Sequence, residues 1–66
     1  MNMTAHQIFE EISRLDLILV IREKSAVLTR RGGAPVRVIS KAIAHEIIKS
    51  GKMMPYKGES DRWIAK

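Results

Sequence analysis

The sequence predicts a small α+β domain in the order αββαββ, a helix–hairpin–helix core followed by a C-terminal ribbon. Three observations carry that expectation. A capped amphipathic stretch opens the chain, five consecutive aliphatic residues follow it, and Gly32-Gly33 and Gly51 divide the remainder into short segments. With 66 residues and no cysteine, a single domain over residues 1–66 is expected, stabilised by packing alone, and cores of this size give only about 3–5 kcal/mol.

The first helix is expected over residues 5–15. Thr4 followed by Gln7 has capping-box spacing, in which each side chain satisfies the other residue's free backbone N–H. Met3 and Ile8 have the spacing of a hydrophobic staple, and Ile8, Ile12 and Leu15 recur on one face with Phe9 beside them. Asp16 breaks the pattern. Leu17 to Ile21 then reads as a strand buried on both faces, because a strand with a wet face would alternate with polar residues. Arg22-Glu23-Lys24-Ser25 makes a tight connection to a second strand, Ala26 to Arg30, giving an antiparallel hairpin.

Gly32-Gly33 ends the hairpin. Residues 36–39 read either as a first helical turn after Pro35 or as an extended, β-branched lead-in. Ser40 is an N-cap for a helix over residues 40–50, with Gly51 as its stop. The tail is expected to form a ribbon, Met53 to Tyr56 against Arg62 to Ala65, with Tyr56 and Trp63 facing each other across it and Pro55 at an edge.

Charge is distributed unevenly. The chain carries +5 overall. Residues 1–21 are acidic through Glu10, Glu11 and Asp16 against Arg14. Residues 22–52 hold eight bases, Arg22, Lys24, Arg30, Arg31, Arg37, Lys41, Lys49 and Lys52, against Glu23 and Glu46. An anionic partner would therefore meet the middle of the chain. The longest apolar run, 17–21, is far short of the roughly 20 residues of a membrane span, and the absence of cysteine suits a reducing compartment, so a cytoplasmic protein is expected.

Catalysis finds little support. His6 and His45 are the two histidines. His45 and Glu46 are adjacent on a helix and diverge by about 100°, so they form no dyad. Ser13, Ser25, Ser40, Ser50 and Ser60 have no base in a recognisable arrangement, and nothing in the spacing gathers metal ligands. The expectation is a protein without enzymatic activity, catalytic residues, metal or cofactor.

Two binding readings remain. In the first, a hairpin with an unpaired edge receives an extended segment of another protein, a common way for a small module to grip a peptide. An edge of that kind can also pair with a second copy, so a homodimer is expected alongside a monomer. Arg30-Arg31-Gly32-Gly33 suits an anion, although a single such string is first of all a hairpin exit with solvated arginines. In the second reading, Lys41, His45, Lys49 and Lys52 form a stripe along a nucleic-acid backbone, with residues 40–50 as recognition helix and the Tyr56–Trp63 ribbon as wing. Against this, a winged helix needs a positioning helix where the sequence has a strand and Gly-Gly, and the stripe lacks Asn or Gln to read bases.

The order of elements over residues 3–50 resembles the N-terminal docking domains of tubulysin-type nonribosomal peptide synthetases. Met3 to Ile12 is similar to their opening helix, Leu17 to Ile21 and Ala26 to Thr29 to their hairpin, and Ala34-Pro35-Val36 with Ile43 to Ile48 to their connection and next helix. Asp16 stands where that family usually has glycine, and Met53 to Lys66 has no counterpart. The resemblance implies a homodimeric docking module whose hairpin edge takes a short acidic segment, with Arg22, Lys24, Arg30 and Arg31 at the partner-binding positions. A small adaptor, or a phage- or mobile-element-encoded inhibitor of a host machine, fits that expectation.

Overall fold

A computed structural model describes residues 3–66 and shows an α+β domain in which two helices pack on one five-stranded antiparallel sheet. The elements are α1 (Ala5–Leu15), β1 (Ile18–Ile21), β2 (Ala26–Thr29), β3 (Pro35–Ile39), α2 (Lys41–Lys49), β4 (Met53–Pro55) and β5 (Arg62–Ala65), with a short 3-10 turn at Tyr56–Gly58. The strands lie in the order β3-β2-β1-β5-β4.

Helix α1 begins as its spacing demands. The Thr4 hydroxyl accepts from the Gln7 amide at 3.2 Å, and the Gln7 side chain accepts from the Thr4 amide at 2.8 Å. The helix stops because Asp16 takes a left-handed conformation, φ 56°, which turns the Leu17 amide back onto the Ile12 carbonyl at 3.0 Å. Glycine is the residue that adopts this conformation without cost. Helix α2 is capped by Ser40, whose hydroxyl accepts from Ile43 at 3.2 Å, and it terminates at Gly51, φ +81°.

Residues 36–39 resolve to the extended alternative. Val36, Val38 and Ile39 are β-branched, and pairing with β2 outweighs a helical turn that would crowd their χ1 rotamers. The order is therefore αβββαββ rather than αββαββ. Leu28 pairs with Arg37 but Thr29 with Pro35, so Val36 is an extra, bulged residue. The bulge returns the Val36 side chain to the helix-covered face, where it packs against the core.

The larger correction concerns edges. The β1–β2 hairpin forms with Leu19 opposite Leu28 and Val20 opposite Val27, but neither flank is free. β3 covers β2, and β5 covers β1. Nor do the helices take one face each: Ile8, Ile12, Ala44 and Ile47 join Leu17, Leu19, Ala26, Leu28 and Ile39 in one cluster on one side of the sheet. Burial of the aliphatic run on both faces is nevertheless observed, since Ile18 and Val20, which alternate to the other side, are each 3% exposed.

One ion pair ties α1 to the sheet. Arg37 donates two hydrogen bonds to Glu11, at 3.1 and 3.2 Å, and Glu11 is only 8% exposed. A planar, bidentate arginine satisfies both carboxylate oxygens of this nearly buried acid. Glu11→Ala should lower stability by about 1–2 kcal/mol. Leu19→Ala, at the centre of the core, should cost about 3 kcal/mol, enough to leave much of so small a domain unfolded. Urea titrations followed by circular dichroism would rank the two.

Candidate interaction surface

The four basic residues expected to act together are placed at opposite ends of the sheet. Arg22 and Lys24 flank the β1–β2 turn, where the Arg22 amide donates to the Ser25 carbonyl at 2.8 Å. Arg30 and Arg31 lie in the β2–β3 turn, beyond the far end of β2. At roughly 3.3 Å per residue the two pairs are at least ~15 Å apart along the strand. They do not form one patch.

Arg31 has a local task. Its guanidinium donates to the Asp16 carboxylate at 2.7 Å and lies 5.2 Å from the centre of the Tyr56 ring. The hydrogen bond to Asp16 raises the pKa of Arg31 above its already high ordinary value, with partial desolvation opposing it and Tyr56 reinforcing it. Arg31 follows β2 and Tyr56 follows β4, with β1 and β5 lying between. Helices fill one side, so this contact crosses the other, the face to which Ile18 and Val20 turn. Arg30 is exposed and has no carboxylate at ion-pair distance among the described residues.

The second residue set also divides. Lys41, His45 and Lys49 run along α2, and His45 and Lys49 are exposed. Lys52 lies 5.3 Å from the Phe9 ring. The expected Tyr56–Trp63 pair is absent because the register places Pro55, not Tyr56, opposite Trp63. Trp63 instead packs against the core beneath the helices and donates its ring N–H to the Ser60 carbonyl at 3.1 Å. Tyr56 is thus held by Arg31 and Lys57, and the stripe and the aromatics make no common surface.

Lys41 links the two sets. Its ammonium donates to the Glu23 carbonyl at 3.0 Å, which fixes the start of α2 against the β1–β2 turn. Arg22, Lys24 and Lys41 therefore gather at the end of the sheet where β3 runs into α2. No carboxylate lies at ion-pair distance from these three among the described residues.

The open backbone edges lie elsewhere than the hairpin. Along the β1–β2 ladder the bonded pairs alternate from Arg22–Ser25 to Val20–Val27 and Ile18–Thr29. Ala26 and Leu28 consequently turn their backbone groups to Ile39 and Arg37 of β3, and Val38 turns its N–H and C=O outward. On the opposite edge, β4 has three residues and ends at Pro55, which has no N–H to offer. The Val38 side chain is 67% exposed. Beside this stretch is a cavity of about 330 Å³ between β3 and the first turns of both helices. Sequence reasoning missed Val38 because its importance depends on which face of the hairpin β3 joins.

Among the described residues no three potential ligands gather to hold a metal ion, and no helix is long and apolar enough to cross a membrane. His6 pairs with Glu10 at 2.9 Å on the exposed side of α1. No protein-family model, curated protein or solved structure matches the chain.

The Arg31 contact separates the neighbouring arginines experimentally. Arg31→Glu should lower the melting temperature, through repulsion from Asp16 and loss of the contact with Tyr56. Arg30→Glu should change stability by less than about 0.5 kcal/mol. Thermal melts of the two variants at equal ionic strength make the comparison.

Proposed function

We propose that this protein is a non-enzymatic interaction module that grips an extended segment of another protein along the β3 edge. The observation that carries the reading is the pair of outward backbone groups on Val38, flanked by a cavity and by the Arg22–Lys24–Lys41 end of the sheet. Main-chain pairing supplies affinity in such additions, and pockets for alternate side chains supply selectivity. The docking role first expected at the hairpin thus moves one strand outward, and Arg31 leaves the binding set for a structural one.

The charge balance supports an acidic segment over a second copy. Two chains of +5 repel each other. Pro35 and the bulge at Val36 shorten the stretch available to a symmetric partner, devices that ordinarily keep an edge from pairing with itself. A cytoplasmic adaptor, or an inhibitor of a larger assembly encoded by a phage or mobile element, is the role this chemistry suits. The nucleic-acid alternative rests on the exposed row His45 and Lys49 beside Lys41, without an aromatic platform next to it.

Selection from a random peptide library displayed against the whole protein tests the reading. Val38→Pro removes the outward N–H at an edge position that tolerates proline, so the fold should persist by circular dichroism while the selected peptides lose at least tenfold in affinity. Peptides that bind Val38→Pro as well as the parent would overturn the proposal. Titration with random duplex DNA should show weak binding that vanishes by about 200 mM salt; tight binding that survives it would favour the alternative, and a dimer in sedimentation would favour the second copy.

A further inference from the structure

The geometry points to a side-chain subsite in the cavity beside β3, built for one aliphatic anchor residue of the bound segment. This rests on the β3-edge reading and specifies its occupant. The cavity is lined by Met3, Ile8, Ile39 and Ile43, with Arg37 and Ser40 at its polar side. A volume of about 330 Å³ is at the small end of ligand pockets, suited to a side chain rather than a cofactor. Its floor belongs to the core itself: Ile8 is 2% exposed and Ile39 is 7% exposed.

The register follows from the ladder. A strand added antiparallel to β3 bonds to Val38, so its residue opposite Val38 points to the helix-free face. The residue opposite Ile39 points to the helix-covered side, where the cavity opens. The residue opposite Arg37 also points there, but that space is held by the Arg37–Glu11 pair. One apolar side chain is therefore selected, at the position facing Ile39.

Charge fixes the direction. The residues preceding the anchor pass the start of α2, where Lys41 donates to a neutral carbonyl and Lys24 and Arg22 are exposed. Carboxylates belong there, two to four residues before the anchor. The recognised chemistry is an acidic stretch leading into a leucine-like residue and then a β-branched one, in extended conformation.

A fluorescein-labelled peptide, Asp-Asp-Glu-Ser-Leu-Val-Thr-Ser, is the probe, read by fluorescence anisotropy with the full chain. Replacing its leucine by alanine should weaken binding about tenfold or more. Moving the three acidic residues behind the threonine should weaken it by a similar factor at 50 mM salt and less at 300 mM. Equal affinity of the leucine and alanine peptides, or no binding of the leucine peptide at any attainable concentration, would overturn the subsite. Ile43→Gln puts a polar amide on the apolar lining at a half-buried site, and should abolish the preference for leucine over alanine in protein that still melts cooperatively. If library peptides bind at Val38 but show no apolar position facing Ile39, the edge reading stands and the subsite falls.

Discussion

The structure depends on β1 being closed on every side. Leu17 and Leu19 contact the helices, Ile18 and Val20 face the opposite side, and both backbone flanks are hydrogen-bonded. A strand in that position needs two neighbours and two covers, and 66 residues must supply all four. α1 and α2 provide one cover. On the other side the Arg31 guanidinium meets the Tyr56 ring, two long side chains reaching across the sheet. Amphipathic side chains suit this, because their stems and ring bury apolar surface while their polar ends stay wet.

Closing β1 moves the exposed backbone outward. Every strand added to protect the centre creates a new rim, and the two rims here are finished differently. β4 is short and ends at Pro55. β3 is longer, begins with Pro35, carries the Val36 bulge, and leaves Val38 as an open stretch beside a cavity. Proline, a bulge and nearby cations are the means by which edges avoid indiscriminate pairing. Together they leave a short stretch of open backbone at Val38.

Local chemistry was legible in the sequence wherever it is short in range. Thr4 and Gln7, Ser40 and Gly51 set both helices, and the aliphatic run marked a doubly buried strand. Long-range pairing was not legible. Nothing in Arg62 to Ala65 states that it joins β1 instead of closing a separate ribbon, and nothing in residues 36–39 states that β2 will outcompete the helix behind them. The four basic residues expected to act together divide for the same reason. Arg30 and Arg31 are adjacent in sequence, yet only Arg31 meets the Asp16 and Tyr56 that give it a structural role. A hairpin edge that is free in a list of elements is closed once the third and fifth strands are placed.

Residue-resolved amide hydrogen exchange tests this arrangement most directly. The amides of Ile18 to Ile21 should be among the slowest in the protein, those of Arg37 and Ile39 intermediate, and that of Val38 fast, slowing when an extended ligand is added. Slow exchange at Val38 in the free protein, or unprotected amides on one flank of β1, would contradict a sheet centred on β1 with its opening at β3.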